Sequence, residues 1–321
     1  MTDPATPPDD GRPAPAAPGV RGASAAELDR YLRDFEALGA LERDAERDLE
    51  RAEAQPRWTP TPYEERYLPG LRLAGIDDHE VVTLQNTADL HVHTHFSDGD
   101  DLDAVLERAQ RARLDAIAIT DHDVIEGALE ARRRVHERRL KVAVVPGIEV
   151  SSADGHVGGL FVTRRVPDGL PAHETVRLIH EQGGLAVAHH PYAPPLIEKL
   201  LRVKLGCGDL VHEIDFDAIE GTNAVPGYGR RYNLAAHEAM LARRVRIAMT
   251  GSSDAHVASL VGKGRTYFAG NHGVVSLRTA LQHGFAQGAE GYWTAREKLA
   301  YRWHLARAIV RNLLGRNGSV N

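Results

Sequence analysis

The sequence predicts an α/β fold, a largely parallel sheet closed into a small barrel with helices added at both ends. Three observations carry this. From Ala88 onward, apolar runs of strand length alternate with stretches of helical periodicity, the pattern of repeated strand–helix units. About seven such strands fall within roughly 180 residues, which suits a small barrel. Histidines and carboxylates stand just after those strands, and α/β folds gather their working residues at strand carboxyl ends.

Taken in order, residues 1–23 are rich in Pro, Ala, Asp and Gly and predict a disordered tail. Ser24-Ala25-Ala26-Glu27 has the capping-box pattern. Leu28, Tyr31, Phe35, Leu38, Leu41, Ala45, Leu49 and Ala52 then recur at helical spacing, so an acidic amphipathic helix is expected over 24–54. Four prolines between 55 and 80 mark 55–87 as a linker or strap. In the barrel segment, 88–270, strands are expected at 88–92, 116–120, 142–145, 157–162, 185–188, 218–220 and 246–249. Helices are expected near 101–113, 126–138, 173–182, 194–203, 229–243 and 275–286. The segment 271–321 reads as basic C-terminal helices. There Leu299, Trp303, Ala306, Val310 and Leu313 form an apolar stripe, expected to pack on the barrel with the basic face in solvent. Its charge complements the acidic helix, which raises a homo-oligomer through the terminal helices as an option.

The bulk numbers exclude some classes. A net charge of -6 and a pI near 6.3 argue against a general nucleic-acid or membrane-surface binder. Nucleic acid is expected only as a nucleotide or short oligonucleotide substrate. The single cysteine, Cys207, can form no internal disulfide and suits a reducing cytoplasm. No basic-then-apolar leader and no apolar run of membrane-spanning length is seen, so a cytoplasmic location without a membrane partner is expected.

The chemistry is concentrated in six segments. Asp89-Leu90-His91-Val92-His93 places alternating ligand-type residues on one face of a strand. Asp98 follows, then Asp121 and His122, Glu149, His156, His189 and His190 before Pro191, and Asp254 with His256. Each alone has an ordinary explanation: Asp98 a turn residue before Gly99, Glu149 an exposed loop acid, Asp254-Ala255-His256 a helix cap. Their joint occurrence at successive strand ends points to metal. Imidazole and carboxylate without thiolate suit Zn²⁺, Mn²⁺ or Fe²⁺. The donors exceed what one ion needs, so two or three divalent ions sharing a carboxylate are expected. Such a cluster activates a water as hydroxide and clamps the oxygens of an in-line displacement, which suits phosphate-ester hydrolysis.

These segments resemble the polymerase-and-histidinol-phosphatase, or PHP, family. The resemblance rests on AspLeuHisValHisThr with SerAspGly (89–99), ThrAspHisAsp with Gly127 (120–127), ProGlyIleGluValSer (146–151), GlyHisValGlyGlyLeuPheVal (155–162), GlyGlyLeuAlaValAlaHisHisPro (183–191) and GlySerSerAspAlaHis (251–256), in the family order. It implies a distorted (β/α)₇ barrel and a trinuclear site. One ion would be held by His91, His93, Glu149 and Asp254, a second by Asp98, His122 and His256. A third would take His156 and His190, with Glu149 bridging. His190 is preferred to His189 because the family's ligand precedes proline, and because neighbours on a strand point oppositely. Asp89 and Asp121 are expected to orient imidazoles, or else to cap loops. Arg230, Arg231, Lys263 and Arg265 are candidate phosphate anchors.

The leading expectation is a metal-dependent phosphoesterase acting on a small phosphomonoester or nucleotide. Only 33 residues separate His156 from His190, too few for the substrate-capping insertion of family members that trim nucleotides or RNA. The alternatives are a metal-dependent hydrolase of a carbamate, ester or lactone, and a non-catalytic metal module that binds a protein partner.

Overall fold

Nine strands form one sheet in the order β7-β6-β5-β4-β3-β2-β1-β8-β9. They are β1 (Asn86–Asp89), β2 (Ala116–Ile119), β3 (Ala143–Ser152), β4 (Gly155–Leu160), β5 (Leu185–Ala188), β6 (Ala218–Asn223), β7 (Ala248–Ser252), β8 (Gly264–Phe268) and β9 (Ala286–Glu290). The computed structural model describes residues 84–225, 229–242, 247–270, 273–291 and 293–315. The expected tail and acidic helix, and the linker up to residue 83, lie outside the described residues.

Seven α-helices are among the described residues: α1 (Leu102–Arg111), α2 (Glu126–Arg138), α3 (Ala172–Glu181), α4 (Pro195–Leu201), α5 (Gly229–Ala242), α6 (Val274–Gln282) and α7 (Ala295–Gly315). The expected α/β barrel is what forms. Strands β1–β3 and β5–β7 pair in parallel. The sheet nearly closes where β7 meets β8: Gly251 N–H donates to Thr266 Oγ1 at 3.0 Å, and that hydroxyl donates back to Gly251 O at 2.8 Å.

Alternation explains the core. Ile117 and Ile119 of β2 join the buried faces of α1–α3, including Leu102, Leu106, Leu129 and Ile179. Ala116 and Ala118 point to a second cluster with Leu185, Val187, Ala218, Phe268 and Leu277. A strand buried on both faces reads as a continuous apolar run, which is why these strands were visible in the sequence.

Two features position the site in ways periodicity did not show. No helix separates β3 from β4; they form an antiparallel hairpin with Glu149 opposite Gly158 and Ser151 opposite His156. Reversing the chain brings the amino-terminal end of β4 to the rim that holds the carboxyl ends of the parallel strands. Strands β8 and β9 were not among the expected strands, because Gly264-Arg265-Thr266-Tyr267-Phe268 and Ala286-Gln287-Gly288-Ala289-Glu290 carry few apolar residues; antiparallel pairing with each other holds them. The helix expected over 275–286 stops at Gln282, where His283 leads into Gly284 at φ +70°.

Helix α7 opens with a reciprocal capping box. Thr294 N–H donates to Glu297 Oε2 at 2.7 Å, and Glu297 N–H donates to Thr294 Oγ1 at 3.3 Å. Among its described side chains the packing face is not the expected stripe; the Val310 and Leu313 side chains lie outside them. Leu299 and Trp303 are each 68% exposed, whereas Tyr301 packs against the core. Among the described residues, no helix is long and apolar enough to cross a membrane.

Candidate metal centre

The site is built around one carboxylate. Glu149 lies in β3, buried, and six imidazoles surround its two oxygens. On Oε2, His91 Nε2 lies at 3.2 Å, His93 Nε2 at 3.3 Å and His122 Nδ1 at 3.2 Å. On Oε1, His156 Nδ1 lies at 3.0 Å, His189 Nδ1 at 3.1 Å and His190 Nε2 at 3.1 Å. Asp254 stands beside them, its Oδ1 at 3.5 Å from His91 Nε2 and 3.3 Å from His93 Nε2. At the more open edge, Asp98 Oδ1 lies 3.4 Å from His256 Nε2 and 4.0 Å from His122 Nε2. All nine candidate residues, His91, His93, Asp98, His122, Glu149, His156, His190, Asp254 and His256, therefore meet in one pocket.

The local structure explains the convergence. His91 and His93 leave β1 in extended backbone, their Nε2 atoms 3.1 Å apart. Beyond β7, Asp254 is turned by a φ of +49°, and Ala255 accepts a hydrogen bond from His93 N–H at 3.0 Å. His189 and His190 both face Glu149, against the expectation that neighbours on a strand oppose each other. Strand β5 ends at Ala188 and His190 takes φ +26°, so the alternation stops between the two. The alternation itself carries His189 onto the face of Leu185 and Val187. There it stacks on His91, ring centroids 3.8 Å apart, in space that only Gly158 leaves open: a Cβ there would collide with His189 Nε2.

Asp89 and Asp121 touch no imidazole. Asp89 accepts from Ser253 N–H at 3.0 Å, Ser253 Oγ at 2.6 Å and Gly262 N–H at 2.7 Å. Asp121 accepts from Thr94 N–H, Thr94 Oγ1 and Ser97 Oγ, each at 2.7 Å. They fix the loops that deliver Asp254, His93 and Asp98, so the loop-capping alternative is the one realised. The carboxylate that does hold an imidazole is Glu220, which the sequence reading missed. Its Oε1 lies 3.1 Å from His91 Nδ1, and its Oε2 accepts from His190 N–H at 2.6 Å and Asn223 Nδ2 at 3.1 Å. Ser252 Oγ also donates to it. Asn223 Nδ2 is in turn 3.1 Å from Asp254 Oδ2, tying the two acids together. The available signal was an acid in the strand Ala218-Ile219-Glu220, since a buried charge needs a partner.

The electrostatics follow from burial and crowding. Burial opposes the charge on Glu149, but His91, His156 and His122 outweigh it and hold the carboxyl well below the usual range. Burial works against a charged His93 too, yet Asp254 and Glu149 raise it to about 10. His91 is likewise raised. Burial pushes His122 down to about 3 and His189 down to about 4. Glu220 falls to about 2, because His91 overcomes burial.

These residues fit divalent cations. Nitrogen and oxygen ligands at about 2.0–2.1 Å from a tetrahedral ion are separated by about 3.3 Å. The Nε2 atoms of His91 and His93 are 3.1 Å apart, and each lies 3.2–3.5 Å from both Glu149 Oε2 and Asp254 Oδ1. Glu149 Oε2 faces three ring nitrogens without a hydrogen bond, and His93 Nδ1 is also buried without one. Further groups able to share an ion are His93, Asp98, His122 and His256; His91, Glu149 and His189; and His122, Glu149 and His156.

Residues 89–283 match the PHP domain. The chain belongs to the PHP family. Membership makes it a metal-dependent hydrolase by class, with the His, Asp and Glu clusters as its metal-binding groups. An uncharacterised protein of Methanocaldococcus jannaschii is 36% identical over 163 residues, covering 47% of this chain and 90% of that protein. A phosphoribosyl 1,2-cyclic phosphate 1,2-diphosphodiesterase of Eggerthella lenta is 44% identical over 86 residues, covering 25% of this PHP chain and 32% of the enzyme. A 5'-3' exoribonuclease of Escherichia coli is 36% identical over 79 residues, or 23% of this chain and 27% of that one. The chain thus spans only about a third or less of these two enzymes. Among solved structures, a two-domain protein of Bacteroides vulgatus described as containing a predicted PHP-like metal-dependent phosphoesterase shares 18% identity at TM-score 0.49, over 74% of this chain and 75% of that one.

Proposed function

We propose that this PHP protein hydrolyses a small phosphomonoester or nucleotide. The ions would be held in three groups: His91, His93, Glu149 and Asp254; Asp98, His122 and His256; and His156 with His190, Glu149 bridging. His189 joins the candidates for the third group on its distance to Glu149. The observation that carries the reading is the division of six imidazoles between the two oxygens of Glu149, three on each. One carboxylate so placed can serve ions on both sides. Bound divalent cations lower the pKa of water and neutralise charge on a phosphoryl group.

The chain's own residues define the approach. His91, His93 and Glu149 are buried, while Asp98 and His122 are 30% and 27% exposed as side chains. Substrate reaches the cluster from that side. Of the four candidate anchors, Lys263 pairs with Glu297 at 3.0 Å and Arg265 Nε donates to Gly262 O at 2.8 Å. The Arg230 side chain lies outside the described residues. Arg231 lines a cleft of about 320 Å³ with Tyr192, Lys204 and Tyr232, next to the chain that carries His190, and is the anchor this reading retains.

The test is metal analysis of purified protein, followed by parallel assays on p-nitrophenyl phosphate, bis-p-nitrophenyl phosphate and p-nitrophenyl acetate. The diester belongs in the panel because two relatives carry phosphodiester-cleaving names. His91→Ala is expected to lose bound metal and phosphate release together. Full turnover in that variant, or ester cleavage without any phosphate release by the wild type, overturns the reading.

A further inference from the structure

Helix α7 begins at Ala295, beyond the residues that match the PHP domain, and nothing in the metal centre requires it. It nevertheless reaches the open edge of that centre. The His304 ring lies 5.0 Å, centroid to centroid, from the ring of His256, whose Nε2 is 3.4 Å from Asp98 Oδ1. One turn earlier, burial raises the Tyr301 phenol, and the charges of Asp254 and Asp98 raise it further. The helix is fastened just ahead of these two residues. Glu297 pairs with Lys263 at 3.0 Å, and Trp293 meets the Tyr301 ring edge-on at 5.7 Å. Tyr301 also packs on the Ala193, Leu205 and Val225 cluster that carries Tyr232, and Tyr232 and Ala193 line the cleft holding Arg231. Tyr301 therefore touches the cluster that backs the cleft, one helical turn from the His304 ring beside His256.

The 33 residues between His156 and His190 contain β5 and α3 and leave no length for a separate cap. A residue that only stabilised the barrel would bury an apolar side chain. Here the apolar Leu299 and Trp303 face outward, and the side chains turned to the site are a phenol and an imidazole, both donors suited to phosphate oxygens.

We propose that α7 is the roof of the substrate site and that Tyr301 and His304 are substrate-contact residues, donating hydrogen bonds to the phosphate group of the substrate or product. This rests on the phosphoesterase reading of the same site. Full-length protein loaded with Mn²⁺ or Zn²⁺ would be titrated calorimetrically with inorganic phosphate, a measurement that needs no turnover. Tyr301→Phe and His304→Ala are each expected to weaken phosphate about tenfold, the loss of about 1.4 kcal/mol. Metal content should stay at the wild-type level, and His304→Asn, which keeps an N–H donor, should recover part of the loss. KM for whichever ester the wild type turns over should rise in parallel, with the loss falling on KM rather than kcat. Leu299→Ser, on the outward face of the same helix, is expected to bind phosphate as the wild type does. Unchanged phosphate affinity in both site variants overturns the roof, and so does loss of metal from either one. A wild type that binds phosphate but cleaves no phosphate ester overturns the enzymatic reading while leaving the roof to this titration.

Discussion

At the scale of single residues, the site depends on side chains that touch no substrate. Glu220 fixes His91 through Nδ1 while Nε2 faces Glu149 and Asp254. A carboxylate on the far nitrogen sets the tautomer and raises the basicity of a ligating imidazole. Glu220→Gln keeps the shape but loses the charge, and it is expected to weaken metal binding about 10–100-fold with a near-normal circular dichroism spectrum; metal affinity equal to wild type would show that His91 needs no such partner. Gly158→Ala acts by space instead. The added methyl meets His189 Nε2, so His189 must leave its stack on His91. The variant should fold and bind less metal, read by metal analysis beside the wild type. His91, His93 and Glu149 were legible because each sits in a motif of fixed spacing. Glu220 was not, since a single acid in a short strand has no periodic partner and its role exists only once β6 lies across the barrel from β1. Strand alternation separates His189 from His190 only while the strand continues, and it ends at Ala188.

At the scale of elements, most helices were readable because their apolar spacing faces one cluster. Helix α2 spans the expected residues, 126–138. What periodicity did not reveal were elements held by partners distant in sequence: the β3–β4 hairpin that carries His156 to the rim, the two strands β8 and β9, and the orientation of α7. The stripe of Leu299 and Trp303 has helical period, but Tyr301 and His304 are what the barrel rim offers partners to. A polar docking face cannot be found by counting apolar residues. The chain after β5 shows the same dependence. Cys207 follows the loop that packs on the β3–β4 turn, where a Cβ at Gly155 would meet Cys207 N at 2.6 Å. Burial raises its thiol to about 12. A raised thiol pKa keeps the sulfur protonated at pH 8, and only the thiolate reacts. Native protein should therefore resist iodoacetamide at pH 8 and be labelled in denaturant, as mass spectrometry would show. Prompt labelling of the folded protein would mean that this loop opens readily.

At the scale of the molecule, the fold has to keep three buried carboxylates together, and charge balance decides what accompanies them. Glu149, Glu220 and Asp254 are all held below their ordinary range by imidazoles. Buried anions need cations. In metal-free protein the cations are imidazolium protons: His93 sits at about 10 and His91 is raised well above its ordinary value, whereas His122 at about 3 and His189 at about 4 stay neutral. The sign follows directly. A histidine raised in the folded state gives its stabilisation in full below the unfolded value near 6.5 and loses it as pH rises through about 10. Between those limits the metal-free site carries a proton that a divalent ion must expel, because ligating imidazole is neutral. Metal binding at pH 7.5 should therefore release at least one proton, while His122 and His189 contribute none. Calorimetric titration with Zn²⁺ in two buffers of different ionisation enthalpy counts the protons. Affinity is expected to tighten about tenfold or more per pH unit between about pH 6.5 and 8.5, since each expelled proton adds a factor of ten per unit. Binding with no proton release and no pH slope would mean that neither His93 nor His91 carries a proton in the metal-free site. The ring that meets Glu149 and Asp254 at 3.3 Å would then have to be neutral in metal-free protein, leaving the acids without the counter-charge that lets the barrel bury them.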